Sequence, residues 1–90
     1  MERIIELYRE RIELMEGARK HLEGNSKQEM DELISEVEGF KAKVEEILEK
    51  YEEGAKQEAG DELMEQVKRT SDRDREISKA ANRLLKRSRE

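Results

Sequence analysis

The stretch MDELISEVEGFKAKVEEILEKY, residues 30–51, decides the fold. Met30, Leu33, Val37, Phe40, Val44, Ile47 and Tyr51 follow one another at alternating intervals of three and four. That spacing lays them on one stripe of an α-helix, widened by Ile34 and Leu48. The positions between are mostly Glu, Lys, Asp or Ser. An apolar stripe of this kind needs a partner surface, because a lone amphipathic helix is marginal in water. Helix-on-helix packing follows, and the flanking segments supply the partners.

Composition bounds the answer. The chain has 90 residues, the size of one domain, and 48% of them are charged. Eight Leu, six Ile, three Val and one Phe make 18 strong core formers, or 20%. That fraction borders on the composition of disordered chains, so the core is thin. Patterning argues against disorder, since nearly all 18 fall on helical stripes. Proline is absent, and the common residues are strong helix formers. Without cysteine there is neither a disulfide nor a thiolate metal site. No apolar run approaches the roughly 20 residues of a membrane span. The charged start, Met1-Glu2-Arg3-Ile4-Ile5-Glu6, reads as helix rather than secretion signal. The default expectation is a soluble, intracellular protein.

Outward from residues 30–51, two further helices appear. The first is expected over about 2–23, with Met1, Tyr8, Met15 and Leu22 recurring every seven residues and Ile4, Ile5, Ile12 and Ala18 alongside. Leu7 and Leu14 flank this stripe and widen the apolar face. A face this wide suits a helix with two neighbours, or one whose extra edge meets another molecule. Gly24 reads as the stop, and Ser26 with Glu29 as a capping box opening a second helix over about 27–53. Gly54 ends that helix. The segment 54–60, bracketed by glycines, reads as the second connection, with room for one helical turn inside it, and Asp61 as the cap of a third helix over about 61–87. In that helix Leu63, Val67, Thr70, Asp74, Ile77, Ala81, Leu84 and Ser88 keep the three-four spacing, but the stripe turns polar around Thr70, Ser71 and Asp74. The phase survives this polar section, which favours one continuous helix over a break near Thr70–Asp72 that would make four.

The expected architecture is therefore all-α: a single domain over residues 1–90, an antiparallel up-down-up three-helix bundle of helices of similar length. Its core should take Tyr8, Ile12, Met15 and Leu22 from the first helix. The second adds Leu33, Val37, Phe40, Val44, Ile47 and Leu48, and the third Leu63, Val67, Ile77, Leu84 and Leu85.

Chemistry is harder to find. The one histidine, His21, lacks the Glu three residues earlier that a carboxylate-bridged metal site in a bundle uses, because position 18 is Ala. It reads as a surface residue near a helix C-terminus, where the dipole favours it. Acidic residues three or four apart, such as Glu29, Glu32 and Glu36, read as a solvated face. No phosphate loop, nucleophile motif or calcium loop is present. No catalytic, cofactor-binding or metal-binding residue is expected, and no cofactor.

Charge is uneven. Residues 68–90 hold nine Lys or Arg against four Asp or Glu, net +5, and residues 1–67 hold ten against twenty, net −10. The basic set, Arg69, Arg73, Arg75, Lys79, Arg83, Lys86, Arg87 and Arg89, has no aromatic residue among it for stacking on bases or anchoring at a membrane. A structural role is expected, with neither nucleic acid nor membrane as partner.

Dense Glu/Lys/Arg surfaces, glycine stops, the Ser26-x-x-Glu29 start and the lack of Cys, Pro and Trp resemble computationally designed helical bundles, of the kind assembled from natural helical fragments. The resemblance covers the whole chain and is generic. Gly17, Gly39 and the polar Thr70/Asp74 layer depart from idealised design. It implies a scaffold whose role is to fold, with no enzymatic activity and no small-molecule substrate. The alternative is a natural helical adaptor that binds partner helices. Spectrin-like repeats and the N-terminal bundles of syntaxin-type proteins have such an architecture, though no local motif ties the chain to either. In both readings Leu7 and Leu14 form the interaction edge, and a weak homodimer is the simplest use of it.

Overall fold

The computed structural model describes the backbone of residues 2–89 and side chains up to Arg87. The calls on Met1, and on the side chains of Ser88 and Arg89, lie outside these described residues. Three helices run in order: α1 (Glu2–Arg19), α2 (Asn25–Glu52) and α3 (Lys56–Arg89). No strand occurs among the described residues.

Long-range side-chain pairs set the directions. Lys50 meets Glu62 and Arg73 meets Glu36, so α2 and α3 are antiparallel. Tyr8 lies beside Thr70 and Arg11 meets Asp74, so α1 and α3 are parallel. The result is the up-down-up bundle, 50 Å long and 21 × 17 Å across. The α3 helix has no break at Thr70–Asp72, as its unbroken apolar phase requires.

The centre is α2. Met30, Val37 and Val44 are fully enclosed and Ile47 nearly so, with Leu33 and Ile34 beside them. Against them pack Ile5, Tyr8, Met15 and Ala18 from α1, and Ile77, Ala81 and Leu84 from α3. Ile12, Phe40, Leu48, Leu63 and Leu85 are half-buried at the margin. One core expectation fails, since Val67 is exposed; Tyr51, last on the α2 stripe and not assigned to the core, is exposed where the stripe runs out past the end of α1. Lys56 stands 5.7 Å over the Tyr51 ring, a cation–π contact that suits an aromatic at the wet end of a bundle.

Helix ends differ from the sequence reading. The α1 helix stops at Arg19 rather than Glu23, through 3₁₀-type bonds from His21 N–H to Ala18 and from Leu22 N–H to Arg19. This turn swings Leu22 inward to cover the end of the core, where it is buried. The Ser26–Glu29 capping box does not form. The α2 helix starts two residues earlier than expected, at Asn25 behind Gly24, with no side-chain cap. Gly24 has φ 61° and ψ −132°, a conformation open in practice only to glycine.

At its other end α2 closes as expected on Gly54, whose φ is 109°. The Gly54 N–H bonds to the Tyr51 carbonyl and the Ala55 N–H to that of Lys50, the paired bonds of a Schellman motif. The connection is then almost used up. Ala55 already accepts the first bond of α3, from Ala59 N–H, so residues 56–60 are helical and continuous with α3 rather than a connection before it. Ala59 is fully buried and anchors this added turn. The helices are consequently unequal, at 18, 28 and 34 residues.

The glycines give opposite expectations under substitution. A Cβ at Gly39, mid-helix on α2, meets nothing within 4 Å. Gly39→Ala should stabilise the fold by about 0.5–1 kcal/mol. A gain of that size raises the midpoint of a circular dichroism melt by a few degrees, at about 4–8 °C per kcal/mol. Gly24→Ala should cost about 1–3 kcal/mol and lower the midpoint in the same assay.

Candidate functional site: the seam between the first and third helices

Two features of the sequence converge where α1 lies beside α3: the polar interruption at Thr70–Asp74 and the flanking leucines of α1. Across this seam the two backbones approach less closely than either approaches α2.

The polar layer is filled by residues that no local pattern pairs. Arg11 donates one guanidinium N–H to the Asp74 carboxylate and others to the Asp74 carbonyl, at 3.0 Å, and to Ser78 Oγ, at 2.7 Å. Arg11 and Asp74 are both part-buried. One turn earlier the Tyr8 hydroxyl lies beside the Thr70 side chain. The Thr70 hydroxyl donates to the Gln66 carbonyl, at 2.9 Å. Among the described residues, no buried side-chain nitrogen or oxygen lacks a partner. Burial, followed by the nearby Asp74 carboxylate, pushes the Tyr8 phenol above the usual tyrosine value. Thr70 and Arg11 pull in the other direction.

Around this layer the seam is apolar and open. Leu7 is 48% exposed and Leu14 75%. Met64, 63% exposed, and Val67, 43% exposed, follow the helical spacing of Ser71 and Ser78 and so join the same side of α3. Among the described residues, four of the five large exposed hydrophobics therefore gather on one face. Past Arg11 the seam deepens into an open groove of about 650 Å³. Met15, Ala18, Met30, Ala81 and Leu85 form its apolar lining, with Leu14 at its mouth. His21 stands at its rim, exposed, in the turn after α1.

The other sequence candidates stay apart from this face. Glu36 is held by Arg73 at 2.8 and 2.9 Å, while Glu29 and Glu32 are exposed. No group of three or more His, Asp or Glu is placed to hold a metal ion among the described residues. The basic set is divided: Arg73 also binds Glu76 and Arg69 meets Glu65, so part of its charge is already matched. No described helix is long and apolar enough to cross a membrane. Comparison with protein-family models, curated proteins and solved structures finds no match to this chain.

Two measurements probe the layer. Arg11→Ala should destabilise the bundle by about 1–2 kcal/mol, because it strands Asp74 against Tyr8. Adding Asp74→Ala should recover part of that loss, a coupling read in a double-mutant cycle of urea melts. The raised Tyr8 value makes stability depend on alkaline pH. The unfolded phenol ionises near its ordinary value of about 10, while the folded one holds its proton longer. The contribution is intact below about pH 10 and is lost as pH rises through the higher folded value. Urea midpoints should fall across that range for the wild type, and Tyr8→Phe should flatten the decline.

Proposed function

We propose that this chain is a structural scaffold, a designed helical bundle whose role is to fold, without catalytic activity. The observation that carries this reading is how the polar groups inside the bundle are used. Arg11, Asp74, Ser78, Tyr8 and Thr70 satisfy one another across the α1–α3 seam. A catalytic group needs an unspent acid, base or nucleophile facing a substrate. The groove beyond this layer is mainly apolar, and of the polar side chains that also line it, Arg11, Glu13, His21, Ser78 and Asn82, Arg11 and Ser78 are bonded to each other. The glycine stop of α2 at Gly54 and the charged surface suit the same reading.

A second reading, a helical adaptor, is favoured by one observation: the exposed Leu7 and Leu14 edge beside an open apolar groove. Both readings make the protein all-helical and independent of cofactors.

The scaffold reading is tested by thermal unfolding in a ligand panel. The purified chain should melt in one cooperative helical transition. Its midpoint should be the same in chelator, in divalent cations and in nucleotides or common metabolites. A ligand present at about 100 times its dissociation constant stabilises a fold by about 2.7 kcal/mol, enough to shift the midpoint well beyond error. A saturable shift of that kind would overturn the reading.

A further inference from the structure

We infer that the α1–α3 seam is a self-complementary surface, which joins two copies of this chain around a two-fold axis parallel to the bundle. The inference stands on the charges beside the exposed apolar strip, and it does not depend on the scaffold reading.

Leu7, Leu14, Met64 and Val67 form the strip. Its α1 rim carries Glu6, Glu10 and Glu13, which helical spacing places in one row. Its α3 rim carries Lys68, Arg75 and Lys79, again one row, which stays net basic although Asp72 stands in it between Lys68 and Arg75. All six are exposed. Among the described residues only Glu6 is ion-paired, with Arg3 beside it on its own helix. Because Arg11 meets Asp74 and Ser78, Glu10 and Glu13 stand at about the levels of Arg75 and Lys79. The face thus has an acidic edge and a basic edge in step with each other.

Two isologous arrangements bury such a face. With the two-fold axis along the bundle, α1 of each copy lies opposite α3 of the other. The glutamate row then meets the Lys/Arg row on both sides of the axis at matching heights. With the axis across the bundle, α1 lies opposite α1, glutamate against glutamate, and the basic rows also face each other. Charge selects the first arrangement, since like charges set against each other oppose docking. The apolar relief agrees with it. Leu14 protrudes beside the groove lined by Ala18, Ala81 and Leu85. A two-fold axis along the bundle keeps heights unchanged, so each Leu14 arrives at the level of the other copy's groove.

Size sets the strength. The seam is limited by α1, whose 18 residues span about 27 Å. With a width of two packed helices, each copy buries about 500 Å², or about 1,000 Å² in total, below a standard stable interface. The dimer should therefore be weak, with a dissociation constant on the order of 100 µM at low salt.

Sedimentation velocity over a concentration series tests this, with circular dichroism confirming that each variant is folded. The wild type should pass from monomer to dimer, and added salt should weaken the dimer. Leu7→Glu/Leu14→Glu should remain monomeric. Glu10→Lys/Glu13→Lys makes both rims basic and should weaken association about tenfold or more. Adding Arg75→Glu/Lys79→Glu to that variant exchanges the two rims and should restore association. A wild type that stays monomeric up to about ten times the expected dissociation constant overturns the inference and leaves the seam to a helix of another protein. A dimer indifferent to Glu10→Lys/Glu13→Lys overturns it equally, because its charges would not be meeting as described.

Discussion

The structure depends on α2 being buried on both of its flanks at once. Met30, Val37 and Val44 are wholly excluded from solvent, and neither α1 nor α3 alone could cover them. A chain with so few large apolar residues has no second core to fall back on. The consequence is a bundle organised around one helix. Both α1 and α3 lean on α2 and meet each other less closely. The openness of the α1–α3 seam follows from this arrangement, since apolar material spent on α2 is not available to close it.

What closes the seam at mid-height is polar. An arginine, an aspartate, a tyrosine and a threonine occupy a layer where a bundle ordinarily places aliphatic groups. Such groups contribute little net stability when paired and cost a great deal when unpaired. Their effect is on register: only the alignment that sets Arg11 beside Asp74 and Tyr8 beside Thr70 satisfies all four. A slip of α1 along α3 by one turn would strand a part-buried charge. The layer therefore opposes misaligned packings that leucines alone would tolerate. Arg73 with Glu36 and Lys50 with Glu62 act in the same sense between α2 and α3. They are more exposed, so each contributes less.

The same economy shapes the surface. Leu7 and Leu14 on α1, and Met64 and Val67 on α3, are apolar residues for which the single chain has no cover. They do not scatter. They line the one seam where the backbones stand apart, between rims of opposite charge. A helical scaffold with a self-matching face and a helical adaptor share this physics and differ in what lies opposite.

The second helix was legible residue by residue, because a three-four apolar stripe of seven positions has no other use. The continuity of α3 through Thr70–Asp74 could also be read, from the preserved phase. Helix ends could not. Gly24 and Ser26 carried the right local signals for a stop and a cap. The burial of Leu22 nonetheless ended α1 early, and the burial of Ala59 drew residues 56–60 into α3. Of the surface, Leu7 and Leu14 were visible as a flank off the stripe. Val67 was misplaced into the core, since spacing alone cannot say where a neighbouring helix stops covering. The partnership of Arg11 with Asp74 left no trace in either local sequence, as 63 positions separate them. By itself, then, the sequence determined three amphipathic helices and their order, because periodicity is a property of a segment and its solvent. Only the tertiary structure decided the helix ends, the polar layer and the open seam, because each depends on which side chains from distant segments compete for the same limited shelter.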